Sequence, residues 1–398
     1  MAGTQPQLTW NDRDVLTSGS RGAGGGVRAW MDAQPVTLRN YYQTLFWTAA
    51  AIAFCAVLYA LEKYVLIRAL GWLPNDPAYR MFKNPAEAPM RLFGLPHIMI
   101  GTAFLLTSRR MRGVTSYLWL AGLGAIGIGF CWLFYRYGVE PDRFNPIALL
   151  LFYFYFLIHG FRDEAFFYKA YGDMPKEGQA THDRVMSVLQ LLMLGLLVSL
   201  AIPAYVLFGD LFPEFRDPVL ERIFPVQWPY FVRFASTFLP MCVIAAFALR
   251  RIAAQFPDGL AGMWRMHRPI LTVFAISMCI ILIALVSGPW TFNFVVLMHF
   301  VGWYLFGRRS LGMRETGQPV RGLWAWMRTT RVGFTVLHLG LAAAIVLIVA
   351  VSHYAFGKVG PVTVGAGEHR MGLIELLFGS KTFYYWTIMH VTLSFYPR

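Results

Sequence analysis

Long apolar segments recur along this chain at a length that matches the thickness of a lipid bilayer. A transmembrane α-helix needs roughly 20 predominantly apolar residues, and ten segments approach or exceed that length. They are 43–66, 91–107, 114–136, 146–168, 185–208, 229–249, 268–288, 291–307, 332–356 and 382–397. The pattern predicts an all-α fold, a polytopic transmembrane bundle of about ten helices.

The balance of charged and apolar residues excludes a water-soluble chain. Charged residues make up 14% of the sequence, whereas a soluble domain carries roughly 25%. The net charge of +14 raises the question of a nucleic-acid partner. Basic loops that set membrane topology and contact anionic lipid headgroups explain this charge better. We therefore expect membrane lipids as partners and no nucleic acid.

The distribution of basic residues predicts how the chain is oriented. With the N-terminus placed inside, the cytoplasmic segments carry 21 of the 35 Lys and Arg residues. The clusters Arg109–Arg112, Arg250–Arg251 and Arg308–Arg309 all fall on that side. This is the positive-inside pattern over short loops. It predicts that both termini are cytoplasmic, in a plasma membrane of the bacterial inner-membrane type.

The first 40 residues differ in composition from the rest. They are polar and contain a glycine run at 24–26. Glycine-rich polar segments behave as flexible linkers, so 1–40 is predicted to be a flexible cytoplasmic tail. Residues 41–398 are predicted to form the transmembrane domain.

Histidines inside the predicted spans are the strongest functional signal. Ionisable residues are costly in hydrocarbon, so each one there is a functional hypothesis. Five of them lie roughly 10–18 Å from a cytoplasmic basic anchor, at a rise of about 1.5 Å per residue. These five are His97, His159, His299, His338 and His390. His353 lies about 22 Å beyond His338 on the same helix, at a separate outer level.

Several imidazoles at one depth can have three explanations: a metal site, haem ligation or hydrogen bonds between helices. Imidazole binds iron, copper and zinc, and a helix bundle can offer ligands from facing helices. Paired histidines can also take the two axial positions of a haem. Alternatively, each histidine only hydrogen-bonds a neighbouring helix. Depth does not specify the direction in which a side chain points, so these alternatives stay open.

Two acids follow His159 within the same predicted span. Asp163 lies one helical turn from His159 on the same face. A carboxylate there could bind a metal ion or orient a ligand imidazole, and Glu164 is the adjacent candidate for this catalytic support. In the other interpretation the span ends at Phe161, and residues 162–164 form a solvated interfacial cluster.

The segments around four of these histidines resemble a known family. Residues Gly94–His97 read Gly-Leu-Pro-His, and Ile158–Gly160 read Ile-His-Gly with an acid at Asp163. His299 precedes a basic pair, and His390 follows in a later helix. This order is similar to the Brp/Blh family of membrane-embedded β-carotene 15,15′-dioxygenases. The resemblance implies that His97, His159, His299 and His390 bind iron and that the substrate is a carotenoid or a similar lipid.

These observations lead to one leading hypothesis and two alternatives. The leading hypothesis is a membrane-embedded non-haem oxygenase that uses Fe2+, or copper, on a hydrophobic small molecule. In it, His338 is a further metal ligand or a substrate contact. The first alternative is a transporter or a structural subunit that uses the histidines for proton relay or helix bridging. The second is a haem-binding redox protein.

Overall fold

The structure is a computed structural model that covers most of the chain. The residues it describes are 26–75, 79–82, 87–108, 113–140, 143–144, 146–171, 179–211, 218–223, 225, 227–287, 289–312, 320–357, 363–364 and 371–396.

The described chain is almost entirely helical, and each of the ten predicted apolar segments overlaps a long helix. The helices are α1 (Val27–Asp32), α2 (Val36–Ala69), α3 (Glu87–Leu106), α4 (Val114–Gly138), α5 (Pro146–Tyr171), α6 (Gln179–Leu211), α7 (Pro218–Ile223), α8 (Tyr230–Ala253), α9 (Gly259–Ser287), α10 (Pro289–Gly312), α11 (Leu323–Thr329), α12 (Arg331–Phe356), α13 (Leu373–Phe378) and α14 (Ser380–Ser394). The only strands among the described residues form two short antiparallel pairs. They are β1 (Val139–Glu140) with β2 (Arg143–Phe144) and β3 (Thr363–Val364) with β4 (Met371–Gly372). The predicted helical class is confirmed.

Six helices of the described chain are long and apolar enough to cross a membrane. They are α2, α3, α4, α8, α9 and α12. Large apolar side chains on their outer faces are exposed, among them Leu118, Phe231 and Leu339. Such a surface is suited to hydrocarbon rather than to water. The chain is therefore a membrane protein, while the count of ten spans and the orientation of the termini remain predictions.

The segment predicted as a tail overlaps the described residues only in part. Residues 1–25 lie outside them. Helix α1 and the start of α2 at Val36 fall within the predicted tail, before the domain boundary expected at residue 41.

Of the three hydrophobic clusters among the described residues, the two larger ones share α5 and α10. The first joins α5, α6 and α9 through fully buried side chains such as Tyr168 and Ile270. The second joins α3, α10 and α12 through Leu95, Leu297 and Ile345. Helices α5 and α10 contribute residues to both cores, so any side chain that they point at each other lies near the middle of the protein.

A wide turn at the start of α3 sets the position of His97. Residues Met90–Gly94 are π-helical, and such turns are frequent at functional sites. Gly94 ends this turn, and a Cβ atom there would lie 2.5 Å from Cε2 of Phe383 and 3.0 Å from Cε2 of Phe300. Glycine at this position therefore lets α3 approach α10 and α14 closely.

A buried ion network ties α3 to α12 and α13. Arg91 of α3 lies 4.0 Å from a Glu87 oxygen and 3.5 Å from a Glu375 oxygen. His353 of α12 lies 3.4 Å from the same Glu375 carboxylate. Buried charges need such partners, so His353 belongs to a structural network, away from the other histidines of the spans.

The close approach at Gly94 generates a stability prediction. Gly94→Ala should destabilise the protein by about 1–3 kcal/mol, because the added methyl group overpacks against Phe383. Gly129→Ala on α4 is the matched control, since nothing lies within 4 Å of a Cβ atom there. It should be neutral or stabilising by up to about 1 kcal/mol. Thermal unfolding of the two purified variants in the same detergent measures the difference, and equal stability would contradict the packing argument.

Candidate metal centre

Four of the predicted histidines meet in the interior, each from a different helix. The ring centroid of His97 on α3 lies 5.3 Å from that of His299 on α10 and 5.0 Å from that of His390 on α14. His159 on α5 closes the arrangement, at 4.8 Å from His299 and 5.7 Å from His390. The four imidazoles therefore surround one common point.

Two overlapping groups of side chains there have the spacing of metal ligands. His97, His299 and His390 form the first, and His159, Asp163 and His299 form the second. Within each group the potential ligand atoms all lie within 4.8 Å of one another. Imidazole nitrogens bind zinc at about 2.0–2.1 Å, so ligands of one ion lie roughly 4 Å or less apart. Small adjustments of the side chains would satisfy this requirement.

Two imidazole nitrogens at the centre have no hydrogen-bond partner within the described part of the chain. They are Nε2 of His97 and Nε2 of His299, and both atoms are buried. A buried polar atom without a partner costs roughly 1–3 kcal/mol. A metal ion between the imidazoles would satisfy both nitrogens. The donor set therefore fits a metal that binds nitrogen ligands.

Asp163 connects two of the imidazoles. Its Oδ2 atom lies 3.3 Å from Nε2 of His159 and 3.7 Å from Nδ1 of His299. The indole Nε1 of Trp303 donates a hydrogen bond of 2.5 Å to the same oxygen. Helix α5 continues to Tyr171 and Asp163 is only 2% exposed. The interpretation in which residues 162–164 form a solvated cluster is therefore wrong for Asp163.

The other ring nitrogen of His159 also has a hydrogen-bond partner. The hydroxyl of Ser394 lies 2.9 Å from Nδ1 of His159. Ser394 stands one helical turn after His390 on α14, so one face of α14 presents both groups to the centre. Carboxylate and hydroxyl partners of this kind orient metal-ligating imidazoles in many sites.

The remaining predicted residues lie differently. Nδ1 of His338 lies 2.8 Å from the Phe334 carbonyl oxygen, and its ring packs against Tyr304. His338 belongs to neither metal-ligand group found among the described residues. Glu164 is half-buried and is likewise in neither group. The structure thus places Asp163 at the centre and separates Glu164 and His338 from it.

A cavity of about 590 Å³ opens next to the imidazoles. His97, His159, His390 and His338 all line it. Most of the wall is apolar and aromatic. The apolar residues of the wall include Ile100, Phe104, Leu105, Phe306, Phe334 and Leu393. The volume is in the range of small-molecule sites, which are roughly 300–1,000 Å³.

Sequence reasoning missed three residues of this region, namely Trp303, Ser394 and Arg328. The spacing of Ser394 from His390 was an available signal, because residues four apart share a helix face. Trp303 is likewise four residues after His299. Arg328 also lines the cavity, but it comes from a short helix that no apolar segment indicates.

Comparison of the chain with protein-family models, with curated proteins and with solved structures gave no match.

The position of Asp163 predicts how the two neighbouring acids differ. Asp163→Asn should weaken the binding of a divalent transition metal about 10–100-fold, the usual effect of losing a group that orients ligand imidazoles. Glu164→Gln should change the affinity less than about twofold, because Glu164 is in neither ligand group. Equilibrium dialysis against Fe2+ or Co2+, followed by metal analysis, measures both affinities. Equal losses in the two variants would contradict the assignment of Asp163.

Proposed function

We propose that this protein is a membrane-embedded non-haem metal oxygenase that acts on a lipid-soluble substrate. In this proposal His97, His159, His299 and His390 hold an iron ion. The observation that carries it is the meeting of four imidazoles from four helices at the end of a largely apolar cavity.

The donor set suits a first-row transition metal. Neutral imidazoles suit iron, copper, nickel and zinc, and four of them leave the ion with a net positive charge. A bound iron ion supplies the chemistry that activates dioxygen in non-haem oxygenases. The resemblance of residues 94–97 and 158–160 to the Brp/Blh motifs supports iron over copper and a carotenoid-like or other lipid substrate.

The protein's own side chains would have distinct tasks. Asp163 would keep the rings of His159 and His299 in orientation and balance part of the metal's charge. Phe104 and Phe334 would exclude water and contact the apolar part of the substrate. His338 would contact the substrate, because it lines the cavity while its Nδ1 atom is engaged by a backbone carbonyl.

The arrangement favours a single ion over a haem. A porphyrin needs an open plane between its two axial imidazoles. Each neighbouring pair of rings lies within 4.8–5.7 Å, and the other two imidazoles stand beside them around the same point. These rings would occupy the space that the macrocycle requires.

The position in the membrane completes the proposal. We propose ten spans with both termini on the cytoplasmic side of a bacterial-type plasma membrane, on the strength of the basic clusters. The imidazoles would then lie near the middle of the bilayer, where a lipid-soluble substrate could enter from the side.

Metal content and oxygen consumption test the proposed function. Protein purified without oxygen should contain about one iron per chain, and His97→Ala or His299→Ala should lose it. His338→Ala should retain the metal but lose turnover, since in this proposal its imidazole contacts the substrate and is not a metal ligand. Oxygen uptake with a carotenoid or a fatty-acyl substrate should depend on the iron.

Other outcomes would overturn the proposal in favour of a named alternative. A Soret band in the purified protein would indicate haem. Well-folded protein without stoichiometric iron, copper or zinc would indicate a proton relay or helix-bridging role. Retention of the metal by His97→Ala and His299→Ala together would remove the four-histidine centre.

A further inference from the structure

The cavity next to the imidazoles has a second, polar end. Arg328 on α11 lines it, together with the hydroxyl-bearing residues Ser108 and Ser310. Nη1 of Arg328 donates to the carbonyl oxygen of Thr107 at 2.7 Å. Thr107 directly follows the end of α3 and stands ten residues after His97, which corresponds to roughly 15 Å of helix. The guanidinium therefore lies roughly that far along the axis of α3 from His97.

Arg328 has no countercharge within the described part of the chain. Its partners there are all neutral: the carbonyl oxygens of Thr107 and Phe104, the Thr107 hydroxyl and the face of the Phe104 ring. Arginine stays protonated at any relevant pH. A permanent positive charge thus lines the cavity without an opposing charge from the residues described.

A second atom at this end also lacks a partner. The Oγ atom of Ser108 is buried and forms no hydrogen bond with any described residue. Ser108 stands next to Thr107, to which Arg328 is bonded. A buried hydroxyl and an uncompensated guanidinium that line the same cavity are complementary to an anionic oxygen ligand.

Among the described residues that line the cavity, Arg328 is the sole one with a permanent charge. Phe104, Leu311, Phe334 and Leu393 also line the cavity. A ligand that satisfies all three regions has an anionic head, an apolar chain of roughly 15 Å and a reactive position at the far end of that length. The planar fork of a guanidinium binds carboxylates in two-pronged geometry.

We propose that the cavity binds a single-chain anionic amphiphile of the long-chain fatty acid class. The carboxylate lies at Arg328 and Ser108, and the apolar chain extends toward His97 and His390. The position that reacts is then set by its distance from the carboxylate. This choice of substrate rests on the proposed function, but the binding itself requires only the cavity.

Binding of matched probes tests the proposal on the full-length protein in nanodiscs of zwitterionic lipid. The probes are a radiolabelled C18 carboxylic acid and the C18 alcohol of equal chain length. The protein should prefer the acid about tenfold, which equals about 1.4 kcal/mol. Arg328→Gln should remove that preference by weakening binding of the acid about tenfold, with the alcohol unchanged within twofold.

Two further variants separate a charge effect from a folding defect. Arg321→Gln removes an exposed cation seven residues earlier that does not line the cavity, and it should leave both affinities unchanged. Arg328→Lys retains the charge and should keep most of the preference for the acid. Thermal unfolding without ligand checks that Arg328→Gln is folded.

Three results would overturn the proposal. One is equal binding of acid and alcohol to the unaltered protein, and another is an equal loss of both in Arg328→Gln. The third is stronger displacement of the label by diacyl phosphatidic acid than by the unlabelled C18 acid, which would make a lipid headgroup the occupant.

The same assay distinguishes failure of this proposal from failure of the proposed function. Binding is measured before and after removal of metal with a chelator. Head-group preference in metal-free protein would support the amphiphile site even if no iron were ever found. Conversely, stoichiometric iron with no preference between acid and alcohol would remove only the amphiphile.

Discussion

Asp163 is a carboxylate buried among apolar helices, and the candidate centre is arranged around it. Taking such a charge out of water costs several kcal/mol unless partners compensate. Here the partners are His159 from the same helix and two groups of α10, His299 and Trp303. These contacts hold α5 and α10 in one register, and that register directs two imidazoles at the common point. The remaining imidazoles, on α3 and α14, depend on close helix packing instead.

That packing requires small residues in α3. A Cβ atom at Gly94 would collide with Phe383, and one at Gly101 would lie 3.1 Å from Cε1 of His390. Both contacts are with α14, which therefore approaches α3 along a stretch of about two turns. The Arg91 network holds α3 to α12 and α13 as well. The bundle is thus tied by buried charges at two levels, with the imidazoles at one and His353 at the other.

The two ends of the cavity differ in chemistry. Imidazoles stand at one end, a guanidinium at the other, and aromatic side chains between them. Such a layout can discriminate among lipids by chain length and head group. A uniformly apolar pocket discriminates poorly, because one methylene contributes only about 1–3 kcal/mol. The two proposals, a metal centre and an anion-recognising end, rest on different residues and can fail independently.

Much of this could be predicted from the sequence, because hydrophobic length and helical periodicity are local properties. The length of the apolar segments predicted the helices that overlap them, but not the short helices α1, α7, α11 and α13. The rise per residue predicted a common depth for five histidines. The i, i+4 spacing predicted that Asp163 faces His159. The tertiary structure alone decided which side chains point at one another. His338 is predicted at the depth of the other imidazoles and yet packs against Tyr304. The hydrogen bonds of Trp303, Ser394 and Arg328 join residues that are 140, 235 and 221 positions apart in the sequence. Such contacts depend on how far each helix is rotated about its axis. Packing against neighbouring helices sets that rotation, and no local sequence pattern contains it.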